Sequence, residues 1–523
     1  MTVPTFPVPR RFAVRRALAA GALLAGSLGW SATAAQSQPE LLLRILDPGA
    51  QGGLVPANVF LTDTQGTPAL PPGEPFWRTH FSSAGETRLS LPPGAYRFAV
   101  DRGPEYAVAE GSVVLAAGQT ATVETRLRRI ANLRSLGWRS GDTHVHRPPK
   151  DLERLAAAGD MDVLHAITWW NRTNAWAGGL PPTPLIETAD GRRIALMGGE
   201  DEREGGALLF FGLPSPLPIQ RAERDYPPAG DYLTAARKQP GVWIDIEKPF
   251  WWDAPVWLSQ GVDTVGLAHN HMHRDGVLGN EAWGRARDAV RYPGALGNGH
   301  YTQGLYYRIL EAGLRVPPSA GSASGVLPNP VGYNRVYAHV PEPWSYEGWS
   351  RAVREGRSFV TNGPLLLTTV SGQDPGAVFR LGSDGGSLKP EVRLWSREAV
   401  GDVEVVHNGR VVSQTRVAPD GKRVSLPRIS ITEPGWLLVR VINPVDTTFR
   451  FASSAPFYVE VAGRPPRVNR AACRTFMEWI RERAGRLKTT DAAQIAHVRG
   501  RLDAAEAFWK RREAAGTVEE ATP

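Results

Sequence analysis

The chain has 523 residues, is 42% hydrophobic and 21% charged, and carries 60 Lys+Arg against 52 Asp+Glu with a single cysteine. That length accommodates roughly three domains. The modest charge without a basic run argues against nucleic-acid binding, and the lone Cys473 excludes an intrachain disulfide.

Residues 1–35 read as a signal peptide. Arg10, Arg11, Arg15 and Arg16 precede an apolar run, Ala17 to Trp30, and the small residues Ser31-Ala32-Thr33-Ala34-Ala35 follow as a cleavage site. The run is shorter than the about 20 residues of a membrane-spanning helix. The paired arginines raise twin-arginine export, but Phe12 directly after Arg11 departs from a full motif, so Sec export stands equally. Four of the 60 basic residues and none of the 52 acidic ones lie in this segment, leaving +4 on the remainder. The mature protein is expected to be periplasmic or secreted, without a membrane span.

Residues 36–130 read as an N-terminal β-sandwich, from short runs such as Leu41–Leu46, Ala57–Leu61, Thr87–Leu91 and Tyr96–Val100 divided by Gly/Pro turns. From 131 to 361 the pattern changes. Strand-like runs (Met161–Thr168, Ile194–Gly199, Ala207–Leu213, Gly241–Glu247, Val262–Ala268) alternate with helical ones (Asp151–Ala158, Ala282–Val290, Gln303–Ala312, Tyr346–Glu355). This is an α/β pattern whose ligand sites collect at carboxyl ends of strands. Residues 362–463 return to short strands, a second β-sandwich. Residues 464–523 form a helical tail with Phe476, Trp479 and Ile480 on one stripe and Leu502, Ala505 and Trp509 on another, packing back on the body.

The chemistry concentrates in the middle segment. Of 11 histidines, seven lie between 144 and 300. In Gly141-Asp142-Thr143-His144-Val145-His146-Arg147 the two histidines share one face of a strand, about 7 Å apart along it, within reach of one ion. Asp142 shares that face as a further ligand or an orienting partner. The second cluster, His269-Asn270-His271-Met272-His273-Arg274-Asp275, also follows an apolar strand. Glu200, ending the run Ile194–Gly199, is the acidic partner, while Glu202 and Glu204 read as a surface turn. Lys248 follows the run Trp243–Glu247, paired with Glu247 or adding a positive charge near a metal. The expected site is a shared divalent-metal site (zinc, manganese or iron) formed by His144, His146, Glu200 and one or both of His269 and His271. His273 or Asp275 is the candidate general base, and Arg335 is either a clamp for an anionic group or a structural ion-pair partner. Trp169, Trp170, Trp251 and Trp252 are core tryptophans or a stacking wall for a glycan-like or aromatic substrate.

The segment Gly141–His146 resembles the opening motif of the PHP superfamily (polymerase and histidinol phosphatase), in particular its CehA/McbA-type branch. Gly159-Asp160-Met161-Asp162-Val163, Gly199-Glu200, Gly241-Val242-Trp243, Gly356–Pro364 and Asn408-Gly409-Arg410 extend the resemblance from about Pro93 to Ile480. It implies a distorted (β/α)7 barrel flanked by β-sandwiches, carrying one to three divalent metals and hydrolysing phosphate esters, carboxyl esters or carbamates. Departures are substantial. Trp169-Trp170 stands where the family has Asp-His, Lys248-Pro249 where it has His-Pro, and Ser322-Ala323 where it has Ser-Asp; only His144, His146 and Glu200 carry over. The loss of anionic positions, with Lys248 taking the electrostatic place of a metal, points to a single ion. The expected function is an exported hydrolase of a small-molecule or glycan-like substrate using a metal-activated water. The alternative is a non-catalytic, metal-retaining or glycan-binding descendant.

Overall fold

The computed structural model describes residues 38–49 and 53–519. The expected signal peptide lies outside the described residues. Strands predominate, in several sheets, with seven α-helices among the described residues.

The strand Glu40–Leu46 sets the N-terminal pattern: Leu41, Leu43 and Ile45 are buried, and the residues between them are partly exposed. It pairs antiparallel with Glu86–Ser90 and parallel with Thr120–Arg126. A five-stranded sheet, centred on Ala57–Asp63 between His80–Ser83 and Gly94–Asp101, faces it. Leu43, Ile45, Val59, Leu61, Phe81 and Val100 share the core between the sheets. Each such side chain contributes about 1.5–3 kcal/mol by burial.

The middle of the chain forms a closed sheet. Its strands are β1 (Trp138–Val145), β2 (Val163–Trp170), β3 (Arg193–Arg203), β4 (Gly206–Phe211), β5 (Trp243–Ile246), β6 (Thr264–Ala268) and β7 (Pro318–Ala320). They pair in that order; β4 is antiparallel to both neighbours, and the other pairs are parallel. Just past β7, Ser324 makes a parallel bridge to Val145 at the end of β1, and the His146 amide donates to Ser324 O at 2.8 Å. The sheet thereby returns on itself. Strands β5 and β6 are buried along their whole length, as strands covered on both faces must be.

Five helices accompany this sheet: α1 (Leu152–Ala158), α2 (Ala229–Ala236), α3 (Ala254–Gln260), α4 (Gly297–Glu311) and α5 (Tyr346–Arg354). The helix expected at 282–290 does not form. Ala282 adopts a positive φ of 45°, its amide donates to Asn280 Oδ1, and the Arg287 guanidinium donates to Gly279 O and Tyr292 O. Local side-chain bonds hold this stretch in turns, which compete with a helix. The short helices α2 and α3 were not anticipated. Each begins beside a proline and is set by packing more than by a long apolar period, with Leu233, Trp257 and Leu258 in the shared core.

Two further strands carry the closed sheet into the C-terminal region. β8 (Arg335–His339) runs antiparallel to β1, and β9 (Ser358–Thr361) pairs with both β8 and Phe451–Ser454. There two sheets enclose a core of Leu366, Val392, Leu394, Val405, Val439 and Val441. Helices α6 (Arg470–Ala484) and α7 (Ala492–Ala514) are capped by Asn469 and Asp491, whose side chains accept from amides of the first turn. Both apolar stripes expected of the tail pack on α3: Phe476, Trp479, Leu502 and Trp509 join the core of Trp257, and Trp509 Nε1 donates to Pro255 O. No helix among the described residues is long and apolar enough to cross a membrane.

Candidate metal centre

The centre forms at the end of β1 and in the last third of β3, where β3 parts from β2. Asp142 fixes the end of β1: its Oδ1 accepts from the amides of His144 and Ser322, and its Oδ2 accepts from Ser322 Oγ and the Gly332 amide. Those four bonds commit Asp142 to clamping loops, so it is an anchor and not a ligand. With β1 held, His144 and His146 project to one side, and their Nε2 atoms lie 2.9 Å apart. Gly321 makes room for this, because a Cβ there would stand 2.4 Å from His144 Cβ.

Glu200 reaches the same point from β3, opposite Trp170 of β2. Its Oε2 is 3.0 Å from His146 Nε2 and 3.4 Å from His144 Nε2. That oxygen is buried yet receives no hydrogen bond of acceptable geometry. A buried carboxylate oxygen facing two imidazole nitrogens needs a positive charge beside it, supplied by a proton on the imidazoles or by a cation between them. Ligand atoms of His144, His146 and Glu200 lie within 4.8 Å of one another, and this group could hold a metal ion.

A carboxylate not singled out as a site residue stands behind His144. Glu247 Oε1 is 3.5 Å from His144 Nδ1. A proton on Nδ1 shared with Glu247 leaves the Nε2 lone pair facing Glu200 and His146, the arrangement that orients a metal-binding histidine. Glu247 in turn takes Lys248 Nζ at 2.5 Å and Trp251 Nε1 at 3.1 Å. Burial opposes charge on both carboxylates, but Lys248 and His144 hold Glu247 well below the usual carboxylate range, and His144 and His146 do the same for Glu200. Burial likewise opposes charge on His144, but Glu200 and Glu247 outweigh it and raise that imidazole; burial lowers His146.

Glu202 does not sit in a surface turn. Its Oε2 accepts from Trp170 Nε1 at 3.0 Å, and burial, with the charges of Glu200 and Glu247, pushes its carboxyl well above the usual range. The signal was legible: Glu202 lies two residues from Glu200 on the same strand and therefore on the same face.

The remaining candidates divide. His269 and His271 are outside the ligand group. His269 Nε2 meets Thr302 Oγ1 of α4 at 2.9 Å, and its Nδ1 accepts from the His271 amide, so both nitrogens are engaged within the fold. His271 packs its ring against His269, Phe250 and Trp251. Burial, then Lys248, lowers both, and they are held neutral. His273 and Asp275 line a cavity of about 160 Å³ with Phe60 and Arg274 that includes none of the three ligands. Arg335 lines a different cavity, again with none of the three ligands. Lys248 is 2% exposed, bound to Glu247 and set 4.4 Å from the Trp251 ring, so it neutralises Glu247 rather than facing the centre alone.

The tryptophans separate in the same way. Trp170 meets the His146 ring edge-on at 4.6 Å, and Trp251 supports Glu247. Trp169 is wholly buried, stacked near Phe210 and bonded to Met197 O. It occupies the space left by Gly199, where a Cβ would be 1.8 Å from the indole. Trp252 lies in the core under the tail helices, with the Arg486 guanidinium 4.3 Å from its ring. Neither Trp169 nor Trp252 forms part of a substrate wall. No family model matches the chain, and no curated protein matches it.

Proposed function

We propose that the chain is an exported metal-dependent hydrolase with a PHP-like barrel, using one divalent ion held by His144, His146 and Glu200 and acting on a small ester, phosphoester or carbamate. The observation that carries this reading is the convergence of two Nε2 atoms and the orphaned Glu200 Oε2. Mixed imidazole and carboxylate donors suit zinc, manganese or iron. When bound, such an ion supplies Lewis acidity and a nucleophile at neutral pH. The single-ion stoichiometry is supported by how the nearby carboxylates are spent, Asp142 on loop amides and Glu247 on Lys248. Seven strands in a closed sheet support the PHP-like reading.

The chain's own residues orient and shield. Glu247 holds the His144 ring, Trp170 walls the His146 side, and Glu202 is fixed to Trp170 at the same edge. His146 and Trp170 are less deeply buried than His144 and Glu200, and a substrate would approach from this side.

A second reading, a metal retained for structure, is favoured by one observation: His144 and Glu200 are only 3% and 2% exposed. Elemental analysis and hydrolysis of nitrophenyl ester and phosphate substrates separate the two. The hydrolase reading expects one equivalent of metal and hydrolysis that His144→Ala/His146→Ala abolishes together with the metal. Metal loss with equal rates in wild type and variant leaves the structural reading; two or more equivalents overturn the single ion.

A further inference from the structure

A cavity of about 530 Å³, the volume of a small-ligand site, lies where the N-terminal sheets, the loops of the closed sheet and the C-terminal sheets meet, and none of His144, His146 and Glu200 lines it. Its charges do not cancel. Arg397 is paired with Asp101 at 2.8 Å, and Arg450 contacts Glu398. Arg128 and Glu110, one of each sign, are exposed to solvent at the edge of the cavity. Two guanidinium groups remain. Arg335 is 2% exposed, and its bonded neighbours are neutral: the carbonyls of Gly332 and Gly159 and the Tyr337 hydroxyl. Glu105 reaches it only through that hydroxyl, and Asp160 is taken by Arg102, Arg134 and Arg192. Arg274 rests over the Phe60 ring at 3.7 Å with no carboxylate at ion-pair distance among the described residues; the Asp101 charge, already paired with Arg397, acts on it only from farther off. A buried guanidinium is strongly disfavoured without a counter-charge.

Acceptors wait in the same cavity. Asn443, 3% exposed, has an Oδ1 with no hydrogen-bond partner, and so has Glu398 Oε2. The lining therefore offers unmatched cations on one part and unmatched acceptors on another. We propose that this cavity binds a small hydroxylated carboxylate of the sugar-acid class, its carboxylate met by Arg274 and Arg335 and its hydroxyls by Glu398 and Asn443. The site is independent of the metal-centre reading.

The test is calorimetric titration of the full-length protein with glucuronate, glucose and inorganic phosphate. Glucuronate is expected to bind one to one, with unchanged affinity in His144→Ala/His146→Ala. Glucose, lacking the charge, and phosphate, lacking the hydroxyl array, are each expected to bind at least about tenfold more weakly, the scale of a charge-assisted hydrogen bond. Arg274→Ala and Glu398→Gln should each lose about tenfold for glucuronate, and both sit at partly exposed positions. Circular dichroism identifies a variant that fails to fold, and the other then decides. Absence of glucuronate binding into the millimolar range overturns the proposal. So do equal affinity in Arg274→Ala, phosphate or glucose binding as tightly as glucuronate, and loss of binding in the histidine variant.

Discussion

Glu247 Oε1 lies 3.5 Å from His144 Nδ1, so the imidazole that offers its Nε2 to the metal group is steadied from behind by a carboxylate itself bonded to Lys248 and Trp251. The relay His144–Glu247–Lys248 has a direct consequence for metal affinity. Glu247→Gln should weaken metal binding about 10–100-fold, the usual cost of losing an orienting partner. It also strands the Lys248 charge in a buried position, so the variant should lose stability. Glu247→Gln/Lys248→Met should recover stability and not affinity. Chelator competition and thermal unfolding read the two effects separately.

Trp169 and Trp170 are adjacent but do different work. Trp169→Ala should cost about 3–5 kcal/mol of stability, as for a large buried aromatic side chain. Trp170→Ala should leave stability close to wild type and retain metal while changing KM for aromatic esters. Denaturant unfolding and steady-state kinetics distinguish them.

Gly199 accepts no side chain. Gly199→Ala places a Cβ 1.8 Å from the Trp169 indole, and both neighbours are buried. Destabilisation of about 1–3 kcal/mol or more is expected, with partial rescue by Trp169→Leu. Failure of the rescue in urea unfolding would place the conflict elsewhere.

His165 gives the fold an acid limit. It is wholly buried among Phe211, Trp243 and Trp349, with Nε2 against the Tyr346 hydroxyl at 2.9 Å, and burial lowers it to about 3. The unfolded chain takes up this proton near pH 6.5, well above the folded value. Stability is therefore complete above about pH 6.5 and is lost as pH falls towards 3, by about 1.4 kcal/mol per pH unit for this one group. His80, also near 3, and His407, near 4, add to the same slope through burial. His165→Phe should flatten the decline of the unfolding midpoint between about pH 6 and 4.5; an unchanged slope would remove His165 from the account.

Much of the centre was legible from residue spacing. A strand alternates its side chains, so His144 and His146 had to share a face, and Glu200 at the end of a neighbouring apolar run was positioned to join them. The same rule applied to Glu202 would have moved it from a surface turn to the site. It was less useful for 269–275, which leaves the sheet after Ala268, so alternation there no longer reports a common face. The four tryptophans read alike in sequence, and only the gap at Gly199 and the tail helices over Trp252 assigned two of them to the core.

What the sequence determined by itself was local: the strand runs, the two apolar stripes of the tail, and the pair of histidines two residues apart, because each follows from backbone periodicity. The tertiary structure decided which charges meet. It set Glu247 behind His144, gave His269 to Thr302, and left Arg335 beside a cavity that no histidine lines. Those outcomes depend on how a closed sheet brings residues tens to hundreds of positions apart within a few ångströms, and on which buried charge finds a partner first.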